Sequence, residues 1–251
     1  MTDRVLVFDI DDTLLDYEAA ERGIWEAIFQ DHGLALSEDD FQRNWAISWE
    51  TWKEAGMMNI TDPDVQASYE DRYRQAVLAM MEGVRDYTGI RTSAAELAEQ
   101  FEVFMSRQFT TFPEVEQVLW DLHRDGYRLF LASNGHQEVQ TARMAVFADV
   151  VDGILTSELA GIPKPGAAFF RELMEMIHRT AGCAGILPKQ CLFIGDSIHS
   201  DMIGAHAAGM DTCLVDRKGK YPDLEALPEE ERASVRFIVK DLRQLMTIKE
   251  L

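Results

Sequence analysis

Val5-Leu6-Val7-Phe8-Asp9-Ile10-Asp11-Asp12-Thr13-Leu14-Leu15 is an apolar run that stops abruptly in carboxylates. Four consecutive apolar residues, mostly β-branched or aromatic, predict a buried strand. In an α/β domain the carboxyl end of such a strand opens on the ligand crevice. Asp9 and Asp11 then stand near one strand tip, with Thr13 following in the turn. Acids held that close repel unless a shared proton or a cation relieves them. A divalent metal with oxygen ligands is the economical relief. A calcium loop counted from Asp9 would need glycine sixth and a bidentate acid twelfth, where this chain has Leu14 and Ala20. Helix capping explains Asp12 or Asp16 but not Asp9, which belongs to the strand end.

Working outward, residues 16–111 read as helical almost throughout. Ser37-Glu38-Asp39-Asp40 and Ser93-Ala94-Ala95-Glu96 carry a cap with an acid three residues on, and Asp62-Pro63 puts a capping acid before a first-turn proline. Amphipathic stretches over 19–29, 41–52, 65–81 and 97–109 predict a small helical bundle. Trp45, Trp49 and Trp52 share one face of the second, as core or as an aromatic wall for a substrate ring.

From Phe112 the rhythm changes. Strands are predicted over 128–133, 153–156, 191–195, 212–216 and 236–239, and helices over 113–125, 138–147, 165–180 and 200–208. This alternation implies βαβ units and a mainly parallel, Rossmann-like sheet flanked by helices. The domains expected are an α/β core of 1–15 with 112–251 and an inserted all-α domain of 16–111, far longer than a loop and a candidate lid.

Two more strands end as the first does. Leu129-Phe130-Leu131-Ala132-Ser133-Asn134-Gly135 offers a hydroxyl at Ser133, then the backbone amides of Asn134 and Gly135 at a helix start, where anions bind. Ser-Asn-Gly is also ordinary turn chemistry. Leu192-Phe193-Ile194-Gly195-Asp196 ends in an acid, and Asp201, about one helical turn on, can face back toward it, though Ser200 or Asp201 also reads as a helix cap. Gly161-Ile162-Pro163-Lys164-Pro165 holds a lysine in a stiff segment at a helix start, where a basic residue opposes the macrodipole. Acids for a metal, with a hydroxyl, amides and a lysine for an anion, suit phosphate best.

Composition narrows the partners. A formal charge of −20 across 251 residues repels nucleic-acid polymers and anionic membranes, leaving a small anionic metabolite whose charge is met locally. Cys183, Cys191 and Cys213 show no disulfide pattern and predict buried free thiols in a reducing compartment. The first strand follows Met1 within a few residues, leaving no room for a signal sequence, so a soluble cytoplasmic protein, monomeric or homodimeric, is expected.

The ordered set Asp9-x-Asp11-x-Thr13, Ser133, Lys164-Pro165 and Gly195-Asp196-Ser197-x-x-x-Asp201 resembles the haloacid dehalogenase-like (HAD) superfamily over essentially the whole chain. The helical insertion resembles its type-1 cap, and Ser-Asn-Gly is similar to nucleotidase-like and acylneuraminate-phosphatase-like members. The resemblance implies a phosphatase acting on a small phosphomonoester, such as a nucleoside monophosphate or sugar phosphate. By it, Asp9 attacks phosphorus and forms an aspartyl phosphate, while Asp11 protonates the leaving oxygen and then activates water. Mg²⁺ is implied on an Asp9 carboxylate oxygen, the Asp11 backbone carbonyl and Asp196, with Asp201 supporting that shell or orienting Lys164. Ser133, Asn134 and Lys164 are the implied phosphate contacts. Members that cleave carbon–halogen or carbon–phosphorus bonds generally lack an acid at the Asp11 position. A phosphomutase on the same core and a non-catalytic phosphate sensor are the rival expectations.

Overall fold

The computed structural model describes residues 5–248. Six parallel strands form one sheet: β1 (Val5–Phe8), β2 (Arg128–Ser133), β3 (Gly153–Thr156), β4 (Cys191–Gly195), β5 (Asp211–Val215) and β6 (Phe237–Val239), in the order β3-β2-β1-β4-β5-β6. All four residues of β1 are fully buried, which is why the strand reads as an unbroken apolar run. Phe8 pairs with Leu131 on one side and Ile194 on the other, so the tips of β1, β2 and β4 end level with each other. The strand order reverses between β1 and β4, and in open parallel sheets ligands bind at that reversal, beyond the carboxyl ends.

Helices of the same unit are α6 (Val115–Arg124), α7 (Gln137–Arg143), α8 (Ser157–Ala160), α9 (Ala167–Arg179), α10 (Ile203–Ala207) and α11 (Glu229–Arg232). Phe169, Phe170, Leu173 and Ile177 of α9 follow helical spacing and pack with Val5, Val7, Phe130 and Phe193 from one face of the sheet. The helix expected over 138–147 is shorter: α7 starts at Gln137 and gives way to a tighter turn over Ala145–Phe147. The helix expected over 200–208 begins as a single wide turn, Ile198–Met202, before α10. The short α8 carries no periodic signal a sequence reading can use at four residues.

A second compact unit, Tyr17–Thr110, is distinct from the unit that ends at Asp16 and resumes at Thr111. It holds α1 (Tyr17–Asp31), α2 (Glu38–Glu54), α3 (Pro63–Ala67), α4 (Tyr69–Thr88) and α5 (Ala94–Met105). Ser37 and Ser93 form capping boxes with Asp40 and Glu96, and Asp62 caps the proline-led α3. The pattern over 65–81 reads as one helix but breaks at Ser68, whose ψ of 20° leaves the helical region. Trp25, Ile28, Phe41, Met81, Val84, Leu97 and Phe101 build its core. Trp45 packs against that core and Trp52 against a smaller cluster around Tyr69, while Trp49 lies round the helix from this seam and is 54% exposed.

Glu21 is a buried acid in this unit, accepting a hydrogen bond from Trp25 Nε1 at 3.1 Å. Burial pushes its carboxyl from an ordinary 4.5 up to about 7, with the Trp25 bond opposing and Glu18 adding to the rise. The folded state therefore holds the proton more tightly than the unfolded chain. Its stabilising contribution is complete below pH 4.5 and is lost as the pH rises through about 7. At one pKa unit per 1.36 kcal/mol, that loss is on the order of 3 kcal/mol. Glu21→Gln keeps the acceptor and removes the charge. The variant is expected to exceed wild-type stability at pH 8, by an amount that shrinks toward zero as the pH falls to 4.5, in paired urea titrations. A pH-independent difference overturns the account.

Candidate active site

Asp9 continues the ladder of β1, its amide donating to Ile194 O at 2.8 Å, and is 7% exposed. The chain then curls on itself: Leu14 N and Leu15 N both donate to Ile10 O, and Asp12 N donates to Leu15 O. Asp12 is the one non-glycine residue with positive φ among the described residues, at 59°, a conformation an aspartate tolerates better than most. This curl is what returns Asp11 to the strand tip, while Thr13 is fully buried beneath it. Leu15 pairs with Thr111, and Phe112 N donates to Leu14 O, so the curl is pinned where the chain returns to the sheet.

Lys164 is the central cation, 1% exposed. Its Nζ donates to Asp9 Oδ1 at 2.6 Å, Asp201 Oδ1 at 2.7 Å and Ala132 O at 2.8 Å, using all three protons. The peptide bond Lys164–Pro165 is cis. The side chain of Asn134 brackets the lysine backbone, donating to Lys164 O at 3.0 Å and accepting from Lys164 N at 2.7 Å. Asn134 thus uses its side chain to position Lys164, while the anion contact expected of it is through its backbone amide. Burial works against the Lys164 charge, but Asp201 and Asp9 outweigh it and hold its pKa above the ordinary value.

Carboxylate oxygens of Asp9, Asp196 and Asp201 lie within 4.8 Å of one another. Asp201 Oδ2 also accepts from Ser197 N at 3.1 Å, and its approach to β4 requires a glycine: a Cβ on Gly195 would stand 2.3 Å from that oxygen. Asp196 keeps an exposed surface at the rim of the cluster. Its pKa is raised, first by the protein packed around the carboxyl, then by Asp9, Asp201 and Asp12, with Lys164 opposing. Burial, with Asp201 and Asp11 adding, likewise pushes Asp9 up to about 7 although Lys164 lowers it. Three acids share one lysine, which leaves negative charge uncompensated. A hard divalent cation with oxygen ligands fits such a donor set.

Asp11 and Ser133 meet through residues that the sequence reading missed. Gln140 Nε2 donates to Asp11 Oδ2 and to Ser133 Oγ, each at 2.9 Å. Arg143 Nη1 donates to Gln140 Oε1 at 3.1 Å and lies 2.7 Å from Asp11 Oδ1, close in charge though not aligned as a hydrogen bond. Arg143 is fully buried and Gln140 nearly so. The available signal was a helix following the Ser133 tip with Gln and Arg three apart on one face, yet arginine in a last helical turn is also what the macrodipole favours at a surface.

A family profile for haloacid dehalogenase-like hydrolases matches residues 4–209. The pyrimidine 5'-nucleotidase PynA of Streptococcus pneumoniae is 26% identical over 211 residues, 83% of this chain and 82% of that protein. A phosphoserine phosphatase of Thermus thermophilus is 27% identical over 266 residues, 99% of this chain and all of that protein. The crystal structure of YfnB from Bacillus subtilis, bound to magnesium, shares the fold with a TM-score of 0.78, covering 99% of each chain at 22% identity. With the profile spanning most of its length and the motif residues gathered at three level strand tips, this chain belongs to the haloacid dehalogenase-like hydrolases.

Proposed function

We propose that this hydrolase is a Mg²⁺-dependent phosphatase that cleaves a small phosphomonoester through an aspartyl-phosphate intermediate. The observation that carries the reading is the contrast between two carboxylates on one strand tip. Asp9 is buried and bonded to Lys164, whereas the Asp11 side chain keeps 29% exposure and is held beside Ser133 by Gln140. Such a division suits a nucleophile and a separate proton donor.

Asp9 attacks phosphorus, and the bond to the leaving oxygen breaks as Asp11 gives that oxygen its proton. Asp11, now a base, takes a proton from water, which attacks the aspartyl phosphate, releases inorganic phosphate and regenerates Asp9. Lys164 and the Ser133 hydroxyl offset the negative charge of the phosphoryl group. Asp9, Asp196 and the Asp11 backbone carbonyl would hold Mg²⁺, which would supply further charge neutralisation there. Asp201 keeps Lys164 directed at Asp9. The Tyr17–Thr110 unit is read as the cap of the 16–111 insertion, the part that selects the leaving group.

A pyrimidine nucleotidase and a phosphoserine phosphatase share the phosphomonoester and not the alcohol. Nucleoside monophosphates and sugar phosphates are therefore the substrates to try first. No helix among the described residues is long and apolar enough to cross a membrane. Cys183, Cys191 and Cys213 are buried free thiols, which supports a reducing, cytoplasmic setting. The test is phosphate release from a panel of phosphorylated metabolites, with Mg²⁺ and with chelator. Metal-dependent release is expected; a stoichiometric isomer without free phosphate overturns hydrolysis in favour of a mutase.

A further inference from the structure

We propose that Gln140 and Arg143 on α7 are positioning residues that aim Asp11 at the leaving oxygen and turn the Ser133 hydroxyl toward the phosphoryl group. The inference deepens the phosphatase reading and rests on it. Its starting point is an energetic imbalance. Arg143 is 0% exposed, yet its Nε and Nη2 have no hydrogen-bond partner among the described residues. A buried guanidinium with two unanswered donor nitrogens is a poor way to stabilise a fold, since a packed apolar side chain would serve better. What the arginine does contact is the network around Asp11.

That network has one consistent direction. Arg143 Nη1 donates to Gln140 Oε1 at 3.1 Å, which fixes the amide so that its nitrogen faces the other way. There Nε2 meets Asp11 Oδ2 and Ser133 Oγ, both at 2.9 Å. Gln140 holds Asp11 Oδ2 by a hydrogen bond, and Arg143 Nη1, 2.7 Å from Oδ1 without hydrogen-bond alignment, attracts the other oxygen by charge. Together they restrict rotation of the carboxyl group. Ser133 Oγ, accepting from Gln140, has its own proton left to donate elsewhere. Gly135 makes room for the amide: a Cβ there would lie 3.1 Å from Gln140 Nε2. One helix thus orients the acid and the phosphate-binding hydroxyl together, and small misplacements of such groups are costly in rate.

The test follows single-turnover release of the leaving group with enzyme in excess and Mg²⁺ saturating, so that the later base role of Asp11 does not enter. It compares p-nitrophenyl phosphate, whose leaving group needs no proton, with ethyl phosphate, whose leaving group does. Arg143→Met is expected to slow this step for ethyl phosphate on the order of 10²-fold, to change the aryl ester by about threefold or less, and to leave the half-saturating concentration (KM) for both near wild type. Arg143→Lys should recover part of the loss. Gln140→Leu, which also releases Ser133, should lower ethyl phosphate turnover similarly and raise KM for both esters. In an Asp11→Asn background, Arg143→Met should cost nothing further. Equal losses on both esters, a change confined to KM, or full additivity with Asp11→Asn overturns the inference. If Arg143→Met does not fold, the Lys and Leu variants decide on the same criteria. Wild-type protein that releases phosphate neither from these esters nor from any member of the metabolite panel overturns the phosphatase reading, and this inference with it; wild-type turnover with equal variant losses overturns the inference alone.

Discussion

Asp9→Asn is expected to lower phosphate release on the order of 10⁴-fold or more, because it removes the group that forms the covalent bond rather than one that assists it. The fold should survive the change. Asp9 shares Lys164 with Asp201 and stands within the same cluster as Asp196, so the asparagine variant has one fewer acid competing for a single cation. In metal-free buffer its melting temperature should equal or exceed that of wild type. Steady-state phosphate release and thermal unfolding, measured on the same preparation, separate the two effects. Near wild-type turnover with a folded variant would falsify covalent catalysis at this position.

The strand tips were legible because a buried parallel strand advertises itself twice, by an unbroken apolar run and by the polar residue that ends it. β2, β3 and β4 have the bounds read from sequence, and Asp9, Ser133 and Asp196 stand at or just beyond strand ends. The capping boxes at Ser37 and Ser93 were legible for the same local reason. Tertiary partnership was not. Asn134 reads as a turn residue or an anion contact, and only the fold brings its amide against the backbone of Lys164, thirty positions on. Gln140 and Arg143 look like a solvated helix face until α7 is laid against the β1 tip, where the same side chains are buried against Asp11. Trp49 departs from the core reading alone, since spacing groups it with Trp45 and Trp52 but the seam of α2 passes it by. Periodicity assigns a side chain to a face; it does not say which neighbour covers that face.

Lys164→Met is expected to damage stability and phosphoryl binding together. The lysine is buried, and the substitution leaves Asp9 and Asp201 facing each other without the ammonium that bridges them at 2.6 and 2.7 Å. Breaking a buried pair by removing one partner typically costs about 3–5 kcal/mol. Burial opposes the charge of Lys164, but Asp201 and Asp9 keep its pKa above the ordinary value, so the lysine is charged throughout the neutral range. Because it also lowers the Asp9 carboxyl, which stands at about 7, the loss should grow as the pH rises through 7. Saturating Mg²⁺ should restore part of the stability, because a cation on the same acids replaces the missing charge, while affinity for inorganic phosphate or vanadate stays weak. With a formal charge of −20, the protein cannot draw an anion in from afar. Affinity must come from contacts shorter than the screening length of about 8–10 Å, so inhibition of the wild type should resist moderate salt. Urea midpoints with and without Mg²⁺, paired with vanadate titrations at two ionic strengths, read each part separately. If the variant keeps both its midpoint and its vanadate affinity, Lys164 is not the cation on which this site depends.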